Sequence, residues 1–181
     1  MKISSLIRHR YVYLILFLFA ACNVPTKQSD INAAPSLTGD DAFFAARAAS
    51  SVMMEAELGD IAQKSENAEV KKYGTMMVAD QAQTGSDLKD LAASKNLILP
   101  DSMDTEDQQK VNDLVKKSPI DFDQAYIDMM VNDHIVDINL FKKEGEQGRD
   151  PDIRSFATRT IPVLGKQLDA AKAAQKIIAG R

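Results

Sequence analysis

The chain has 181 residues, with 26 acidic against 22 basic side chains and a net charge of −4. A surface of that sign is repelled by phosphate backbones, and no Lys/Arg cluster with interleaved aromatics offsets it, so nucleic acid is not an expected partner. One Cys excludes an internal disulfide, and the absence of Trp, eight Met and little period-two alternation predict one domain of helices packed on helices.

The first 21 residues divide into a basic zone (Lys2, Arg8, Arg10) and an apolar run over residues 11–21. Such zoning predicts a signal peptide, because the run fits a core of roughly 7–15 residues and is short of the ~20 that cross a bilayer as a helix. Phe19-Ala20-Ala21-Cys22 resembles the bacterial lipobox, with Phe where Leu is usual, and Cys22 is the expected lipidation site. Acyl chains on Cys22 would make the membrane a partner without a spanning helix, at about 0.8 kcal/mol per buried methylene. Position 23 is Asn, not the Asp that retains enterobacterial lipoproteins at the inner membrane. That resemblance favours the outer membrane, facing the periplasm. Removing residues 1–21 removes three basic and no acidic side chains, which leaves a net charge of about −7.

Residues 22–39 are polar and broken by Pro25 and Pro35, as a tether between lipid and domain should be. At about 5–6 Å × √n, a flexible chain of that length spans on the order of 20–25 Å. The domain is expected over residues 40–178, with helices of about 40–65, 69–95, 121–146 and 151–178, each showing apolar residues at three- and four-residue steps. Asp40 or Thr38 is the expected cap of the first helix, Asn67 of the second, Asp121 of the third, and Asp150 of the fourth with Pro151 at its first position. Short turns make each pair an antiparallel hairpin. The segment 96–120, with Pro100, Pro119 and an amphipathic piece near residues 106–116, is a long crossover. Two hairpins joined this way predict an all-α, ferritin-like four-helix bundle.

Tyr73-x-x-Met76-Met77-Val78-x-Asp80-Gln81 recurs 53 positions later as Tyr126-x-x-Met129-Met130-Val131-x-Asp133-His134, so the hairpins are expected to share a repeated core layer. Together with Phe43-Phe44, Glu55-x-x-Leu58-Gly59, Leu99-Pro100, Phe122-Asp123-x-Ala125-Tyr126 and Ile161-Pro162-x-Leu164, these motifs make residues 38–178 resemble the DUF4142 family. The resemblance implies a bacterial exported, ferritin-like protein and brings no established activity.

Glu55, Gln81, His134 and Gln167 each lie near the middle of a predicted helix on or beside its apolar stripe, and are expected to meet at one level as a polar core layer. Ferritin-like proteins place metal ligands at such a level. The resemblance implies His at the positions held here by Gln81 and Gln167, and an amide is a poor ligand for first-row transition metals. Glu55 and His134 are the remaining candidate ligands, for iron, copper or zinc, and would bind weakly unless Asp80, Asp133 or Asp137 turns inward. The alternative role of His134 is a core histidine hydrogen-bonded to Glu55 or Gln81. Met77 and Met130, one turn before Gln81 and His134, add a copper(I) reading against the ordinary one of flexible core filling.

The sequence holds no Gly-rich phosphate loop, no Gly-x-Ser-x-Gly elbow and no His-Glu-x-x-His, and Cys22 is committed to lipid. Catalysis and a resident cofactor are therefore not expected. The leading expectation is a lipid-anchored envelope bundle that binds a protein or small molecule or serves in stress protection. The runner-up is a metal-binding or redox bundle built on Glu55 and His134.

Overall fold

The computed structural model describes residues 39–180, so the predicted signal peptide, Cys22, the tether and Thr38 lie outside the described residues. Every regular element described is helical: α1 Gly39–Ala62, α2 Ala68–Ser94, α3 Thr105–Leu114, α4 Pro119–Gln147 and α5 Pro151–Ala179. Local chemistry sets most of their ends. The Asn67 side chain accepts from the Glu69 N–H, and Asp150 accepts from the Asp152 and Ile153 N–H groups with Pro151 following, as expected. The third long helix departs from expectation. Its cap is Ser118, with Pro119 at the first position, and Asp121 answers it from the first turn: Ser118 Oγ accepts from the Asp121 N–H at 3.3 Å and donates to Asp121 Oδ2 at 2.7 Å. This is a reciprocal cap one turn earlier than the first apolar residue suggests.

Helix α1 ends at Ala62, three residues early, because Lys64 and Ser65 bond back to Ile61 and Ala62 in a tightening turn. Helix α2 closes with Leu97 N–H on the Ala92 carbonyl and Asn96 N–H on that of Ala93, Asn96 standing at φ 51 in the left-handed region that Asn tolerates.

Helix α1 packs on α2 and α4, and α5 packs on α4 and α2. Ser65, after α1, donates to Asp123 at the start of α4. Asp41, at the start of α1, accepts from Arg149 and Asp150 after α4. Helix α1 is therefore antiparallel to α4 as well as to α2. The crossover returns along the length of the helices, with α3 lying on α1 and α4. It is pinned by charge: Arg47 reaches Asp104 and Asp107, Ser50 donates to the buried Asp107, and Lys110 bridges Asp107 and Asp133.

The buried apolar residues form two clusters. One gathers Phe44, Leu88, Phe141, Ile153, Phe156 and Leu164; the other gathers Leu58, Val70, Tyr73, Met77, Tyr126 and Met130. Each large side chain fully buried contributes about 1.5–3 kcal/mol. Every long helix also buries a polar residue along its apolar stripe: Glu55, Gln81, His134 with Asp137, and Gln167.

Candidate functional site: a buried carboxylate and histidine centre

Glu55, Gln81, His134 and Gln167 are at most 3 % exposed. Three of them meet. The Gln81 amide N–H donates to Glu55 Oε2, and Glu55 Oε1 lies 3.3 Å from His134 Nδ1. Gln167 goes elsewhere: its amide N–H donates to Asp80 Oδ2 at 3.1 Å, so the fourth member of the expected layer pairs with its α2 neighbour and not with the histidine.

His134 is held from its other side. Tyr73 OH lies 3.2 Å from Nε2, a contact between two helices that occupy opposite corners of the packing. Of the two partners expected for a core histidine, Glu55 pairs with Nδ1 while Gln81 bonds to Glu55 instead, and Tyr73 takes the other ring nitrogen. The sequence repeat offered a signal for this. Tyr73 and Tyr126 occupy equivalent places and their rings meet edge to face at 5.8 Å, but the hydroxyl of Tyr126 has no hydrogen-bond partner among the described residues.

Asp137 completes the centre. It stands one turn beyond His134, on the same face of α4, and is 6 % exposed. One ligand atom from each of Glu55, His134 and Asp137 lies within 4.8 Å of the others. Of the three aspartates that could turn inward, this is the one that joins. Asp133 turns to Lys110 at 3.4 Å and Asp80 to Gln167. Met77 and Met130 are fully buried in the tyrosine-containing apolar cluster, as core filling would have them.

The charges of the centre act on each other strongly. Burial pulls the His134 pKa down, but the facing carboxylate of Glu55, with Asp137 and Asp133 behind it, outweighs burial and holds it above the ordinary histidine value. Asp137 is pushed up to about 8, first by burial and then by Glu55, with His134 opposing. Burial also drives up both Tyr73 and Tyr126.

Outside the centre a groove of about 600 Å³ opens between α1, α2 and residues 99–101. Gln81 and Val52 line this groove and also a void of about 10 Å³ beside Glu55 and Asp137. The amide that holds Glu55 therefore borders the outer cleft as well.

The family described as "Domain of unknown function (DUF4142)" matches residues 26–174. The chain belongs to the DUF4142 family. The match covers all of α1 through α4 and most of α5, so the centre of this DUF4142 protein lies wholly inside the family domain. Neither curated proteins nor solved structures gave a match.

Proposed function

We propose that this DUF4142 protein is an exported, lipid-anchored bundle of the bacterial envelope, ferritin-like in connectivity, that acts by binding a small and mainly apolar molecule in the groove beside α2. The observation that carries the reading is the groove itself. Its volume of about 600 Å³ falls within the range of roughly 300–1,000 Å³ typical of small-molecule sites. Val52, Met53, Leu88, Leu99 and Pro100 supply apolar walls, and the charged groups on the lining are Lys89, the cation for an anionic end group, and Asp101. The lipid anchor rests on the zoning of residues 1–21 and on Cys22. No described helix is long and apolar enough to cross a membrane.

Anilinonaphthalene sulfonate, which joins fused aromatic rings to an anion, is the probe. Fluorescence titration of the parent should show saturable binding at a single site. Ala82 lines the groove from an exposed position on α2, so Ala82→Trp should fill the cleft and abolish binding while the circular dichroism spectrum stays unchanged. Lys89→Glu should weaken it. A folded Ala82→Trp variant that binds as the parent does would remove the groove from the account.

A further inference from the structure

We propose that Glu55, His134 and Asp137 form a binding site for a single divalent first-row transition metal ion. The proposal goes beyond the groove reading and does not depend on it, since it concerns different side chains and a different ligand.

Two independent observations carry it. The first is the convergence of three buried donors from α1 and α4 on one small space. Two ligands about 2.1 Å from a tetrahedrally bound ion stand ~3.4 Å apart. Glu55 Oε1 and His134 Nδ1 are already separated by 3.3 Å. The second observation is that these same two atoms have no hydrogen-bond partner other than each other, although both residues are at most 1 % exposed. Native proteins rarely leave buried polar atoms so. The two atoms face each other, with a carboxylate oxygen of Asp137 within 4.8 Å of the Glu55 and His134 ligand atoms.

The remaining atoms of the two groups are held as those of metal ligands usually are. Gln81 donates to Glu55 Oε2, which leaves Oε1 for the ion. With the ring proton on Nε2 and donated to the Tyr73 oxygen, Nδ1 presents its lone pair. A hydrogen bond at the far ring nitrogen is the common means of fixing the tautomer and angle of a ligating histidine. An ion takes the place of the protons on these ligands: two carboxylates and a neutral imidazole then carry a charge of −2, which a divalent cation neutralises. The nitrogen and oxygen donor set suits zinc, iron(II) or manganese(II) better than copper(I), which prefers sulfur. The void of about 10 Å³ beside Glu55 and Asp137, bordered also by Ser51 and Thr160, is near the size that admits one water as a further ligand.

The test uses the full-length protein, stripped with chelator and returned to buffer containing Zn²⁺. Elemental analysis after desalting should find one zinc per chain, and calorimetric titration should give the same stoichiometry. Zn²⁺ should raise the thermal midpoint of the parent, and chelator should reverse the rise. Asp137→Asn should weaken Zn²⁺ binding by about tenfold or more. Because single changes in a buried centre can unfold a protein, the double variant Glu55→Leu with His134→Leu replaces the facing pair together. It should fold, as judged by circular dichroism, and show no midpoint response to Zn²⁺. The groove variant Ala82→Trp should bind Zn²⁺ like the parent, which separates failure of this site from failure of the groove. A stripped parent that takes up no stoichiometric Zn²⁺ and shows no shift would overturn the proposal. Zinc binding that persists unchanged in the double variant would overturn it too, because the ion would then lie elsewhere.

Discussion

Glu144 and Asp41 are two carboxyl groups buried side by side where α1 begins and α4 ends, at 7 % and 0 % exposure. Asp41 Oδ1 accepts from the backbone N–H of Arg149 at 2.8 Å and of Asp150 at 3.4 Å, so it holds the turn between α4 and α5. Burial, then a hydrogen bond to Asp41 and the charges of Asp41 and Asp40, push Glu144 up to about 7 from its ordinary 4.5, with Lys143 opposing. A carboxyl whose pKa is raised on folding contributes its stability fully below the unfolded value and loses it as pH rises through the folded one. The window here is about pH 4.5 to 7. Glu144→Gln keeps a donor for Asp41 and removes the titration. Urea denaturation at pH 5 and pH 8 should therefore show the variant gaining on the parent as pH rises, and exceeding it at pH 8. A difference between the two proteins that does not change with pH would refute this account. Asp137 lowers the parent's stability over a similar window, so the comparison with the variant, and not the parent's own curve, isolates Glu144.

At the scale of the helices, α1 and α2 approach closely enough that glycine is required at the crossing. A Cβ added at Gly74 would stand 2.7 Å from Ala62 Cβ and from the backbone nitrogen of Gln63, and backbone cannot step aside cheaply. Gly165, in the middle of α5, has nothing within 4 Å of the same position. Gly74→Ala should destabilise by about 1–3 kcal/mol through overpacking. Gly165→Ala should stabilise by about 0.5–1 kcal/mol, because the glycine there costs backbone entropy without supplying a contact. Thermal unfolding of the two variants checks both signs, and a neutral Gly74→Ala would mean that the hairpin is looser than described. The sequence alone treats these glycines alike, since both sit inside an apolar helical pattern. It did better with caps. Asn67 and Asp150 are read correctly because a cap acts within three residues of itself, whereas Ser118 is hidden one turn before the pattern begins. Helix α3 follows from the amphipathic piece near residues 106–116, but its seat on α1 and α4 depends on Arg47 meeting Asp104 and Asp107, 57 and 60 positions away.

For the whole molecule, the proposed anchor makes the envelope membrane part of the working protein. Cys22→Ser removes the only thiol able to carry lipid. The parent should enter the detergent phase on phase partitioning, and the variant should stay in the aqueous phase or accumulate unprocessed. Equal partitioning of both would end the lipoprotein reading. Within the domain, period and capping are local properties, so the residues themselves determined that four long helices form, roughly where each begins, and that each carries a polar side chain near its middle. Which polar groups then meet is a matter of how each helix is rotated about its axis and who its neighbours are, and only tertiary packing decides that. His134 and Asp137 share a face of α4 by spacing alone. Packing turned that face to Glu55, sent Gln167 to Asp80 and brought Tyr73 across the core to His134. The groove is a tertiary product for the same reason: Leu99 and Pro100 close it only because the crossover doubles back over α1 and α2, and no stretch of chain holds that shape on its own.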